Sequence, residues 1–266
     1  WLIKKDAEGL GYKYKPSIDN YTSNKIVLTP NNREINVYDV IYNINDSGNR
    51  LTPNNSETQI ETNNAILFVG GSYTFGEGLN DDETLSYFLQ ESSGRSAINA
   101  GMHGYGAHQA LRILEDEKLY RKRTKGNLVK AVIYRSLLAH INRTAGYSPW
   151  DDYGPCYEIA FSGNIEYRGS FEECGKRRNG ILSKLIKRLA SSSEPFTAKF
   201  FKRFTLKGKY SNKDFLPLDI ERFLAVTKRM EEITTGRGAN FYIILEDAVQ
   251  YDELCGTKTP FSEELS

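Results

Sequence analysis

Apolar and polar positions alternate in only one clear stretch of the first 60 residues. The alternation over residues 35–44 predicts a half-buried β-strand. Residues 45–49, which are Asn, Asp, Ser, Gly and Asn, predict a turn directly after it. We therefore predict a small β-hairpin unit in residues 1–60, ahead of the main domain. No residue of this unit indicates chemistry, and a structural flap or cap is the plain interpretation.

The pattern changes at residue 65, where short and continuously apolar runs begin. Such runs are typical of strands that are buried on both faces of a parallel sheet. They occur at 65–69, 97–100, 128–134 and 241–245. Segments with helical spacing separate them, after residue 84, from about 107 to about 122, and near 218–233. Strands that alternate with helices of this length predict βαβ units and a parallel α/β sheet.

Residues 147–216 fit this pattern poorly, and we interpret them as an insertion over one end of the sheet. The basic amphipathic stretch 181–189 predicts a helix with a solvated basic face, although contact with a membrane surface or an acidic partner is an alternative. Cys156 and Cys174 lie in the same insertion. They could form a disulfide in an exported protein or remain free buried thiols.

Composition excludes several classes of function. The chain of 266 residues carries 35 Lys and Arg against 34 Asp and Glu, so it lacks the basic excess expected of a nucleic-acid binder. No apolar run approaches the ~18 residues of a membrane span, which predicts no integral membrane segment. The three histidines and three cysteines lack the spacing of metal ligands, so we predict no metal and no cofactor.

Candidate chemistry lies where the predicted strands end, because ligands collect beyond the carboxyl ends of parallel strands. Ser72 follows the first strand after two glycines. The segment is not a phosphate loop, because Glu77 follows the glycine where a phosphate loop has a positively charged lysine. It is not the G-x-S-x-G elbow of α/β-hydrolases either, because Thr74 stands in place of the second glycine. Ser72 is therefore either a nucleophile, given a base and oxyanion donors, or an ordinary turn or helix-capping serine.

Two blocks favour the nucleophile. In the first, the strand leads to Ser72 and then to Thr74 and Gly76, and an acidic segment ending in Thr84 follows. In the second, a strand ending at Asn99 leads into the glycine turn 101–106. Together the blocks resemble the SGNH (GDSL-like) hydrolase superfamily of serine esterases and acyl hydrolases. The resemblance implies a flavodoxin-like three-layer α/β/α fold with a parallel sheet, Ser72 as the nucleophile and the backbone N–H of Gly104 as an oxyanion donor.

The sequence also departs from that family. Gly71 replaces the aspartate that precedes the serine, and the third block lacks its Asn-Asp pair. His140 lies in or next to that slot, where the resemblance makes it an oxyanion donor, and Asn142 lies two residues further on. A histidine held at a strand end by hydrogen bonds is the structural alternative for His140.

The family's fourth signature, D-x-x-H, should supply the base, but no histidine here has Asp three residues before it. We expect the hydrolase-like domain, residues 61–266, to be incomplete at its C-terminus and to stop before the last strand and the catalytic histidine. The alternative is that His103 or His108, near the glycine turn, acts as the base.

The function implied by the resemblance is cleavage of O-acyl esters, in a small ester or an acylated glycan, through an acyl-enzyme on Ser72. A catalytically inactive SGNH-like binding or accessory module and a polysaccharide O-acyltransferase are the alternatives. Family members with a small N-terminal β unit are often exported or anchored bacterial proteins. We therefore expect an extracytoplasmic location, whether periplasmic, secreted or membrane-anchored.

Overall fold

The N-terminal part of the chain forms short and long antiparallel pairs. The computed structural model describes residues 2–4, 8–28, 31–54, 60–160, 162–175 and 217–245. Its first strands are β1 (Leu2–Lys4), β2 (Tyr12–Tyr14), β3 (Ile18–Leu28) and β4 (Glu34–Ile44). β1 pairs with β2, and β3 with β4. The predicted strand over 35–44 and the turn after it are confirmed. The turn closes only a single bridge, between Ile44 and Arg50, because the hairpin partner of β4 is the strand before it.

The remaining elements alternate between strands and helices. They are β5 (Glu61–Gly70), α1 (Ser72–Phe75), a 3-10 turn (Asp81–Glu83), α2 (Leu85–Ser93), β6 (Arg95–Asn99), α3 (Ala107–Glu115), α4 (Glu117–Thr124), β7 (Val129–Ser136), α5 (Ala139–Thr144), the hairpin of β8 (Pro155–Ile159) and β9 (Ile165–Ser170), α6 (Pro217–Gly236) and β10 (Asn240–Leu245). The four predicted strands are confirmed as β5, β6, β7 and β10. The helix predicted from 107 to 122 is two helices, because the Asp116 side chain accepts a hydrogen bond from Leu119 N and caps a new one.

The four strands form one parallel sheet in the order β6–β5–β7–β10, so the fold is α/β with a parallel sheet, as predicted. The chain leaves β5 towards β6 on one side and then crosses to β7 on the other. The carboxyl end of β5 is therefore a topological switch point, which is where ligands bind in open α/β sheets. Ser72 begins the helix that follows this end.

Both faces of β5 are buried, which explains its continuous apolar run. Ala65, Leu67 and Val69 join the main core with residues of α3 and α6. Ile66 and Phe68 face the other way and pack with Leu89 of α2. Strand β5 is thereby held from both sides, and this fixes the position of the turn that carries Ser72.

The N-terminal unit packs into the same main core as the sheet. Six of its buried residues belong to that core: Leu10, Tyr12, Tyr14, Val40, Tyr42 and Ile44. The Arg50 side chain, fully buried, forms an ion pair with Asp81 and donates to Leu79 O at 2.8 Å. Strands β1 to β4 are therefore joined firmly to the segment that follows Ser72.

The described part of the insertion, residues 147–160 and 162–175, contains the hairpin of β8 and β9. A disulfide joins Cys156 and Cys174, whose Cα atoms are 6.5 Å apart. The predicted basic helix 181–189 lies outside the described residues. Among the described residues, no helix is both long enough and apolar enough to cross a membrane.

Candidate active site

Three strand ends converge on Gly71, the residue before Ser72. A Cβ atom at Gly71 would lie 2.9 Å from His140 Nε2, 3.1 Å from Arg143 Nη1 and 3.1 Å from Tyr105 O. Its φ of −88° is accessible to any residue, so it is the crowding that requires glycine here. The glycine turn after β6 and helix α5 after β7 therefore both contact the turn after β5.

Ser72 is half-buried at this point. Its carbonyl accepts hydrogen bonds from Gly76 N at 2.9 Å and Glu77 N at 3.0 Å, which close the short helix α1. Within the described residues, neither its Oγ nor its backbone N–H forms a hydrogen bond. The hydroxyl and the N–H are both available to a ligand.

Asn99 joins the two sequence blocks. Its fully buried side chain donates to Thr74 O at 2.9 Å and Ser86 Oγ at 3.1 Å, and it accepts from Gly101 N at 3.1 Å. The sequence placed Asn99 in the second block but assigned it no role. A polar residue at the end of an apolar strand was the available signal.

Gly104 lies in the glycine turn after β6, whose residues Gly101 and Tyr105 contact the turn of Ser72. Gly104 has a φ of +77°, and a Cβ there would lie 2.5 Å from Tyr12 Oη and 2.8 Å from Trp150 Nε1. Both the backbone conformation and the space require glycine. No hydrogen bond to the Gly104 N–H forms among the described residues, so this N–H is also unengaged.

His140 is fully buried between β7 and Gly71. Its Nδ1 lies 2.7 Å from Tyr134 Oη, and its Nε2 has no hydrogen-bond partner within the described part of the chain. Burial, with Arg143 and His108 nearby, holds the pKa of His140 well below its ordinary value, so the ring is neutral. The structure brings His140 against the turn of Ser72 but gives it no exposed surface. Asn142, in the same helix, is half-buried.

His108 is also fully buried, and it is held by an acid. Its Nε2 lies 2.8 Å from Asp151 Oδ2, and that same oxygen accepts from Gln109 Nε2 at 2.6 Å. A ligand in the crevice cannot reach this ring in the observed conformation.

His103 is the one histidine of the three with exposed side-chain surface, 27%. Its Nε2 lies 3.7 Å from Glu77 Oε2, and its Nδ1 contacts Tyr14 Oη. Burial lowers the pKa of His103 to about 4, although Glu77 acts in the opposite direction. The ring is therefore neutral near pH 7 and able to accept a proton.

A cationic and aromatic pair next to Ser72 was not predicted from the sequence. Arg135 Nη1 donates to Tyr73 O at 3.0 Å, and its guanidinium lies 5.3 Å from the centre of the Tyr73 ring. The Tyr73 side chain is half-exposed. Because β7 and β5 are adjacent, this pair lies at the same edge of the sheet as the serine.

The described residues bring together one group of possible metal ligands, Cys156, Glu158 and Cys174. Both cysteines belong to the disulfide, so neither offers a thiolate to a metal ion. This group lies in the β8–β9 hairpin and its flank, not at the strand ends.

Comparison of the sequence with protein-family models and with curated proteins gives no match. A functional argument therefore rests on the strand ends themselves. They place the half-buried Ser72 at the switch point of a parallel sheet, and among the described residues neither its Oγ and N–H nor the N–H of Gly104, in the turn after β6, forms a hydrogen bond.

Proposed function

We propose that the chain carries the nucleophile of an SGNH-type serine ester hydrolase that cleaves O-acyl groups from a small ester or an acylated glycan. The observation that carries this proposal is the state of Ser72 at the end of β5. Its Oγ and N–H are unengaged among the described residues, and so is the N–H of Gly104 in the adjoining turn. An acyl transfer site needs a nucleophile and oxyanion donors of this kind.

Strand order supports the finer assignment of the fold. Numbered by their order along the chain, the sheet strands run 2-1-3-4, which agrees with the flavodoxin-like order of doubly wound sheets. Helices lie on both faces of β5. We assign a flavodoxin-like three-layer α/β/α arrangement on this basis.

The proposed reaction has two steps. Ser72 Oγ attacks the ester carbonyl while a base takes the hydroxyl proton, and the N–H groups of Ser72 and Gly104 stabilise the oxyanion, each worth about 3–4 kcal/mol. The C–O bond to the alcohol then breaks, and the base returns the proton to the leaving oxygen. Water attacks the acyl-serine in the second step, and its proton passes through the base to Ser72 Oγ.

The base is the part of the site for which this sequence offers the fewest candidates. The family's D-x-x-H signature is absent from the sequence. Of the three histidines, His103 is the candidate, because the side chains of His108 and His140 have no exposed surface. Its lowered pKa keeps the ring neutral at pH 7, and it also makes His103 a weaker base than an ordinary histidine.

One observation favours a second candidate, a binding or accessory module without turnover. A serine hydrolase needs a histidine base supported by an acid, and the hydrogen-bonded pair of His108 and Asp151 is of that kind. Both side chains are buried, so this pair cannot act as the base for a ligand at Ser72. The Cys156–Cys174 disulfide favours an oxidising, extracytoplasmic compartment for either candidate.

The test is turnover of short-chain aryl esters and of acetylated sugars by the full-length protein. Ser72→Ala should reduce kcat by at least about a thousandfold without loss of folding, because it removes the attacking oxygen. Ser92→Ala is the matched control, since Ser92 is exposed and its Oγ donates to Leu89 O in its own helix. Equal activity of the two variants would refute the hydrolase. Transfer of the acyl group to an added sugar, in place of water, would identify an acyltransferase with the same nucleophile.

A further inference from the structure

One peptide group of the glycine turn is held by the N-terminal unit. The N–H of Gly104, which the proposed function uses as an oxyanion donor, belongs to the same peptide as the carbonyl of His103. Tyr12 Oη donates a hydrogen bond to that carbonyl at 3.0 Å. The two residues that bond are 91 positions apart in sequence, so a strand outside the sheet reaches into the proposed site.

The planar geometry of the peptide means that the hydrogen bond to the His103 carbonyl also orients the Gly104 N–H. A peptide group is planar, and in the trans form its C=O and N–H point in opposite directions. No peptide bond among the described residues is cis. A hydrogen bond that fixes the direction of the His103 carbonyl therefore also fixes the direction of the Gly104 N–H, on the far side of the same plane.

The direction of donation is defined by chemistry. A carbonyl oxygen only accepts, so the Tyr12 hydroxyl donates to His103 O, and Trp150 Nε1 lies beside the same glycine, Gly104, as Tyr12 Oη. A hydrogen bond to the carbonyl polarises the whole peptide group. The N–H of that peptide becomes more positive, which is the property an oxyanion donor requires.

The phenol of Tyr12 is itself held in place. Its side chain is 6% exposed, and Tyr105 Oη donates to its backbone carbonyl at 2.6 Å. Burial raises the pKa of Tyr12 far above its ordinary value, so the hydroxyl stays protonated and stays a donor. The neighbouring Tyr14, in the same strand, accepts from His103 N at 3.3 Å, which holds the other side of that residue.

We infer that Tyr12 is a positioning residue of the oxyanion site, which orients and polarises the Gly104 N–H through the His103 carbonyl. The inference rests on the proposed function. It also gives the N-terminal unit a part in catalysis, where the sequence had indicated only a flap or cap.

Tyr12→Phe in the full-length protein removes only the hydroxyl. We expect kcat for an aryl ester to fall by about tenfold or more with KM changed less than twofold, because a misdirected donor weakens binding of the transition state and not of the substrate. Tyr157→Phe is the matched control. Tyr157 is also a buried tyrosine, and its hydroxyl donates to Glu115 Oε2 at 2.8 Å, away from the crevice. Equal kcat for the two variants would overturn the inference.

A second measurement does not depend on turnover. In Tyr12→Phe, the 15N-resolved amide resonance of Gly104 should shift, because the carbonyl of the same peptide loses its hydrogen bond, whereas Tyr157→Phe should leave the resonance unchanged. An unchanged Gly104 amide would show that Tyr12 does not fix this peptide, even in an active enzyme. Activity that does not depend on Ser72 would refute the proposed function, and with it any catalytic role of Tyr12, while the amide would still report the structural contact.

Discussion

Replacement of Gly71 by alanine tests the packing around the proposed nucleophile. The new methyl group would lie 2.9 Å from His140 Nε2 and 3.1 Å from both Arg143 Nη1 and Tyr105 O. Contacts below 3.0 Å force atoms to move, and all three neighbours belong to packed elements. The backbone at Gly71, with φ of −88°, accommodates alanine without strain, so crowding is the only cost.

The magnitude follows from overpacking. An added methyl group in a close-packed site costs about 1–3 kcal/mol of the free energy of unfolding. Removal of the imidazole in His140→Ala takes away the nearest of the three contacts. In that background, Gly71→Ala should cost less by about 1 kcal/mol or more, which is a coupling typical of residues in contact.

Urea unfolding of the four proteins of this double-mutant cycle measures the coupling, with the slope of each transition as a check on two-state behaviour. Gly236→Ala is the control, because a Cβ at Gly236 has no neighbour within 4 Å among the described residues, and alanine at this helix end should not lower the free energy of unfolding. Additive costs for Gly71→Ala and His140→Ala would contradict the close contact between them, and with it the convergence of α5 on the Ser72 turn.

Two further predictions concern acid and reducing agents. Because the pKa of His103 is lowered to about 4 from 6.5 by folding, the unfolded chain binds more protons between these values. The free energy of unfolding should therefore fall as the pH drops from 6.5 towards 4, by about 3 kcal/mol more than in His103→Gln. Urea unfolding at several pH values measures this, and the same pH dependence of the free energy of unfolding in both proteins would contradict it. Reduction of the Cys156–Cys174 disulfide should lower the free energy of unfolding by about 3 kcal/mol, since it releases a loop of 18 residues. The Cys156→Ala/Cys174→Ala variant should then be insensitive to the reducing agent in the same titration.

The sheet could be predicted because its strands are buried on both faces and so carry an unbroken apolar run, as over Ala65–Val69 in β5. Alternation with amphipathic helices then left few topologies other than a parallel α/β sheet. The glycine at position 104 was identified by motif, and its φ of +77° and crowded surroundings give the physical reason for it.

The contacts that complete the candidate site could not be predicted in the same way, because they join distant segments. Nothing in the pattern around Tyr12 indicates that its hydroxyl meets the carbonyl of His103. Gly71 could be read only as the loss of an aspartate, whereas the structure shows that His140 Nε2 and Arg143 Nη1 occupy the space beside it. The helix boundary at Asp116 could not be predicted, because an acidic residue at this position also fits the acidic-to-basic charge gradient of one longer helix.

The most direct test of the proposed nucleophile is covalent labelling of the full-length protein by a fluorophosphonate probe. The serine oxygen attacks phosphorus, fluoride leaves, and the phosphonyl group stays on the nucleophile. Mass spectrometry of the digested protein should find the adduct on the peptide that contains Ser72, and Ser72→Ala should abolish it while Ser92→Ala keeps it. A protein that turns over no ester and carries no adduct at Ser72, or carries it equally on other serines, would contradict the assignment of Ser72 as the nucleophile.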